Sequence, residues 1–113
     1  MIIGGTDPVE FARNHADRIA HSHLKDVNLA VAKRVQDGEI TYYQGILAGM
    51  YVPLGEGDVD ITSIVTSLVQ SGYDGWFVLE QDNVINANPA PGEGPMADAR
   101  KSVAFIRSVV AKL

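Results

Sequence analysis

Apolar positions along the chain switch between two periods, and the switches divide it into elements. Thr6-Asp7-Pro8 offers a polar cap and then proline at the start of a helix, where its missing N–H costs no hydrogen bond. Val9, Ala12 and Ala16 follow at helical spacing, which predicts a helix over residues 7–16. From Arg18 to Lys25 the period falls to two. Ile19, His21, His23 and Lys25 share one face of a strand, while Ala20, Ser22 and Leu24 share the other, a small apolar face suited to packing under a helix. Val27 to Val35 and Thr41 to Leu47 read as short helices around the break at Asp37-Gly38, and residues 53–58 form a turn-rich loop. Asp60 caps a helix with Ile61, Ile64, Val65, Leu68 and Val69 on one stripe, which Gly72 stops. Tyr73-Asp74-Gly75 turns into a strand, Trp76 to Glu80. A Pro/Gly/Asn loop over 82–95 leads to a final helix, 96–112, with Met96, Ala99, Val103, Ile106 and Val110 on one face.

The order is helix, strand, long helical crossover, strand, helix, which predicts parallel β/α units. At 113 residues the chain is expected to be one domain with a modest core. A net charge of −5 with no Lys/Arg cluster argues against nucleic acid or an anionic membrane as partner. The absence of cysteine excludes disulfides and thiolate metal sites and is compatible with a reducing cytoplasm, the expected location. There is no basic segment followed by an apolar one at the N-terminus, and no apolar run approaches the roughly 20 residues of a membrane helix.

The chemistry concentrates in His21-Ser22-His23-Leu24-Lys25-Asp26, at the end of the first strand. Sites in parallel β/α architectures lie at the C-terminal strand ends. His23 and Lys25 close the first strand and Glu80 closes the second, so on strands about 4.8 Å apart the imidazole and carboxylate can converge if their faces coincide. That pair suits Mn²⁺, Co²⁺, Zn²⁺ or Mg²⁺; the competing reading is a hydrogen-bonded structural histidine and a solvated glutamate. His21 lies deeper on the strand, as a packed residue or a support to a ligand, and His15 near a helix end reads as a surface residue. Lys25 either polarises a carbonyl or forms an ion pair with Asp26. Asp26 either orients a ligand, acts as a base, or caps the next segment. Glu56 reads as solvent-facing, and Gly55-Glu56-Gly57 is a weak dinucleotide match because no strand directly precedes it.

Three blocks taken together carry a resemblance: His21 to Val27, Pro53 to Asp60, and Gly72 to Asp82. In this order they resemble the C-terminal part of the xylose isomerase-like TIM barrels, and within them the sugar phosphate isomerase/epimerases of inosose dehydratase type. The resemblance implies a (β/α)₈ barrel with a divalent metal held by Glu, Asp, His and Glu from four strands, acting in isomerisation, epimerisation or dehydration of polyhydroxy ketones. His23 matches the second histidine of the family's His-x-His motif and Glu80 the last-strand glutamate. Lys25 and Asp26 match a Lys-Asp pair and are carried as catalytic candidates, with His21 and Lys25 as substrate contacts.

The first two metal ligands would belong to strands upstream of residue 1. Residues 1–113 are therefore expected to be a partial (β/α)₈ barrel, about the last two β/α units plus a preceding helix. A complete barrel typically needs about 250 residues. Two parallel strands leave their edges unpaired unless another chain completes them, either a second copy or a complementing N-terminal part. The chain is expected to carry half of a metal site and to be inactive alone. The alternative is a non-catalytic assembly module that pairs its open edges.

Overall fold

The structure, a computed structural model, describes residues 1–113. Helix α1 (Pro8–His15) starts where its sequence places it, with Asp7 Oδ1 accepting from the N–H groups of Val9 at 2.8 Å and Glu10 at 3.2 Å. A single 3₁₀ turn, Ala16–Arg18, separates it from strand β1, which is only Ser22–Leu24. The alternating run over 18–25 is longer than the strand because a ladder extends only as far as its partner. That partner is β4 (Phe77–Leu79), in parallel register: Ser22 opposite Phe77, His23 opposite Val78, Leu24 opposite Leu79. The predicted parallel pair therefore forms, and each of its strands keeps one edge without a neighbour.

A second small sheet is absent from the hydrophobic pattern. Strands β2 (Asp26–Val27) and β3 (Tyr51–Val52) pair antiparallel, with Asp26 opposite Val52 and Val27 opposite Tyr51. Val27, expected to open a helix, is thus in a strand. Helix α2 (Leu29–Gln36) begins two residues later, because the Asn28 side chain accepts from the Val31 N–H at 3.2 Å. Helix α3 (Tyr42–Leu47) has a reciprocal cap: Thr41 Oγ1 accepts from the Gln44 N–H, and Gln44 Oε1 accepts from the Thr41 N–H. Asp60 caps α4 (Ile61–Gln70), accepting from the Ser63 N–H at 2.9 Å and the Ser63 hydroxyl at 2.6 Å. Helix α5 (Pro95–Val110) ends the fold, and no helix is long and apolar enough to cross a membrane.

The core lies between the helices and the Leu24 face of the parallel pair. Ala12 of α1, Leu24 of β1, Ile61, Ile64, Val65 and Leu68 of α4 and Val109 of α5 are buried together with Leu54. Each large aliphatic side chain buried there contributes roughly 1.5–3 kcal/mol relative to exposure. A smaller cluster, Val27, Ala32 and Met50, sits under α2 and β3. With Leu24 turned into the core, the pleat directs His23 to the other, uncovered face of the sheet.

Candidate functional site

The uncovered face gathers ionisable groups at the C-terminal ends of the two parallel strands. The Glu80 N–H donates to the Leu24 carbonyl at 3.0 Å, which carries the register one step past β4 and sets Glu80 opposite Lys25. The Glu80 carboxylate lies between two cationic or potentially cationic neighbours: Oε2 is 3.5 Å from His23 Nδ1, and Oε1 is 3.0 Å from Lys25 Nζ. The side chains of His23 and Glu80 are 53% and 40% exposed, so both present their polar atoms to the open face.

Lys25 is the most confined of the three, at 22% exposure. It also contacts the Asp82 carboxylate, and its ammonium sits 4.5 Å from the centroid of the Tyr51 ring. Burial lowers its pKa, but hydrogen bonds and charge interactions with Asp82 and Glu80 outweigh burial and hold it above the ordinary lysine value. The ion pair with Asp26, the alternative reading of Lys25, does not form; its partners are Glu80 and Asp82. Sequence reasoning missed Tyr51, which lies in no motif, and Asp82, which closes the third block without a role there, because each meets Lys25 only through the fold.

Asp26 requires a correction. It was a catalytic candidate, but its side chain is fully buried and turned away from the open face. Oδ1 accepts from the Val27 N–H at 2.9 Å and the Val59 N–H at 3.1 Å; Oδ2 accepts from Gly55 at 2.9 Å and Gly57 at 3.1 Å. Four backbone donors occupy the carboxylate, which leaves it no role toward a substrate and makes it the anchor of the 55–59 loop. It does not cap the next helix, a task that falls to Asn28. In the Gly-Glu-Gly stretch a Cβ on Gly57 would stand 2.3 Å from Asp26 Oδ1, and one on Gly55, which has a φ of +87°, would stand 2.3 Å from the Phe105 ring. Between them Glu56 points outward and pairs with Lys101 at 3.0 Å.

His21 is exposed rather than packed, with its ring centroid 5.1 Å from that of His23. His15 is exposed at the end of α1, its ring 4.9 Å from Phe11. An open cavity of about 390 Å³ borders the cluster, within the size range of small-molecule sites. His21, His23, Lys25, Tyr51 and Glu80 form its polar wall, and Ile2, Ile3, Phe11 and Ile19 contribute to its apolar one.

The chemistry of this donor set fits part of a divalent-metal site. Metal–ligand distances of about 2.0–2.2 Å put neighbouring ligand atoms about 3.0–3.5 Å apart. The 3.5 Å between His23 Nδ1 and Glu80 Oε2 falls at the upper end of that range. No group of three or more His, Asp or Glu side chains is arranged around one point.

Comparison with known proteins extends the geometry. Residues 1–109 match the family described as xylose isomerase-like TIM barrel. The chain is 37% identical over 91 residues to an inosose dehydratase of Geobacillus thermodenitrificans, covering 79% of this chain and 30% of that protein. It is 38% identical over 78 residues to the rhizopine catabolism protein MocC of Rhizobium meliloti, covering 69% of this chain and 24% of that protein. An inosose dehydratase of Clostridium botulinum is 33% identical over 91 residues, again 30% of its length. The chain thus spans about 30% or less of the length of these curated relatives.

Proposed function

The chain belongs to the xylose isomerase-like TIM barrel family, and from that premise we propose that it supplies half of a divalent-metal site for isomerisation, epimerisation or dehydration of a keto-sugar or inosose. The observation that carries this reading is the convergence of His23 and Glu80 at the C-terminal ends of adjacent parallel strands, 3.5 Å apart on the uncovered face. The relatives named inosose dehydratase favour an inosose as substrate and dehydration as the reaction.

His23 and Glu80 are the residues that would hold the ion, one of Mn²⁺, Co²⁺, Mg²⁺ or Zn²⁺. When bound, it supplies electrophilic stabilisation of negative charge developing on substrate oxygens. Lys25 keeps its proton and acts as a fixed cation, donating a hydrogen bond to a substrate oxygen on which negative charge develops. His21, exposed on the cavity wall, contacts substrate hydroxyls. The remaining ligands come from further β/α units, so the isolated chain is inactive.

The test is Mn²⁺ binding and inosose dehydration, measured for the chain alone and for the chain joined to the upstream part of the Geobacillus thermodenitrificans relative. Tight binding and turnover are expected only in the joined protein, and both should vanish with His23→Ala. A joined protein that binds Mn²⁺ equally well with His23→Ala and Glu80→Gln would refute the assignment.

A second reading rests on the sheet itself. The parallel pair has two unpaired edges, and Trp76, just before β4, is 79% exposed. These features suit assembly with a second copy or a complementing chain without chemistry. A monomer by size exclusion at all concentrations, unaltered by the complementing part, would argue against it.

A further inference from the structure

The environment of Lys25 is more elaborate than an exposed lysine needs. Strand β2 starts at the residue after Lys25, and its antiparallel ladder with β3 sets Tyr51 opposite Val27. The ladder delivers the Tyr51 ring to the ammonium, at 4.5 Å from centroid to Nζ, well inside the reach of about 6 Å over which a cation is attracted to an aromatic face. The ring is itself steadied, because the Tyr51 and Tyr42 hydroxyls lie 2.7 Å apart and share a hydrogen bond. Asp82 and Glu80 bring carboxylates to the same ammonium. Partly exposed ion pairs contribute only about 0–1 kcal/mol to stability, so fold maintenance accounts poorly for two carboxylates and an aromatic face on one side chain. A free lysine stem carries about 2 kcal/mol of rotamer entropy, and these contacts remove that freedom before any ligand arrives.

We propose that Tyr51, together with Asp82, is a positioning residue of this site: the ring face and the carboxylate hold the Lys25 ammonium against Glu80 on the cavity wall, aimed in advance at a substrate oxygen. A cation fixed ahead of the reaction needs no reorientation as charge develops, which is where preorganised electrostatic groups have their effect. The inference deepens the proposed function and rests on its assignment of Lys25 to the substrate.

The experiment observes the ammonium directly, by lysine-selective ¹⁵N and ¹³C NMR of the 113-residue chain without metal or substrate. The Lys25 ammonium and Cε protons are expected upfield of those of Lys33, Lys101 and Lys112, as protons over a ring face are, with nuclear Overhauser contacts to the Tyr51 ring. Tyr51→Phe should keep the shift, because the ring remains, and Tyr51→Leu should abolish it while circular dichroism stays that of the parent. Asp82→Asn should leave the shift and speed exchange of the ammonium protons. A Lys25 resonance coincident with the other lysines in the parent chain overturns the proposal, as does an upfield shift that survives Tyr51→Leu. The parent and Tyr51→Phe spectra decide the matter even if Tyr51→Leu does not fold. A failed Mn²⁺ titration counts against the metal reading and leaves these spectra untouched, so the two failures are separable.

Discussion

Asparagine at position 26 would separate a scaffolding carboxylate from a reacting one. Asp26 is fully buried, and each of its oxygens accepts two backbone N–H groups. Asparagine has nearly the same shape, but its single oxygen serves only one pair. Its amide NH₂ then faces the other two donors. Hydrogen bonds to a charged acceptor contribute about 1.5–3 kcal/mol each, and buried donors left without a partner cost about 1–3 kcal/mol. Losing two such bonds and opposing their donors, with some relaxation of the 55–59 loop, gives a penalty of about 3–5 kcal/mol, at the high end for one substitution. With a urea m-value of about 1–3 kcal/mol/M, the unfolding midpoint should fall by more than about 1 M. Amide hydrogen exchange should accelerate at Gly55, Gly57 and Val59. A variant within about 0.5 kcal/mol of the parent, the range of ordinary surface changes, would refute the anchoring role and return Asp26 to the list of reacting groups.

Two further predictions concern the α4 helix. The hydrogen bonds from the Ser63 hydroxyl and backbone N–H hold the Asp60 carboxyl below the usual range, against a smaller opposing effect of burial. A folded-state pKa below the unfolded one gives stability that is fully present above the unfolded carboxylate range and lost as pH falls through the folded one. Asp60→Ala should therefore cost about 1 kcal/mol in urea melts at neutral pH and much less in acid; a penalty independent of pH would refute the cap. Leu68, fully buried in the main core, should lose about 2–5 kcal/mol as Leu68→Ala, read by calorimetry, and a loss below 1 kcal/mol would place it outside the core.

Caps and stripes were the legible part of the fold. Asp7-Pro8 and Asp60 announce their helices because a cap is a local bond between residues two or three apart. The parallel pair was legible because His23 sits in an alternating run, Val78 in a short apolar run after a turn, and a long helical crossover joins the two. Strands β2 and β3 were not, since two residues make no period and their pairing is set by loop closure. Of the site, the His23 and Glu80 meeting followed from the strand-end rule. Asp26 was misassigned because burial is invisible beside a charged motif: an aspartate next to Lys25 looks like a partner until the backbone shows it facing the other way. Tyr51 lies in no motif and Asp82 only closes the third block, so the three-dimensional path alone brings them to Lys25.

Val59 packs against both hydrophobic clusters, and its N–H is one of the four held by Asp26. The larger cluster joins α1, α4 and α5, and the smaller joins α2 and β3. The loop between them is therefore a seam that touches both halves of the fold. Asp26→Asn, which loosens that seam, should therefore let the α2–α3 amides exchange ahead of those of α4, as residue-resolved hydrogen exchange would read. Equal acceleration across both regions would show that the 55–59 loop is not what joins them.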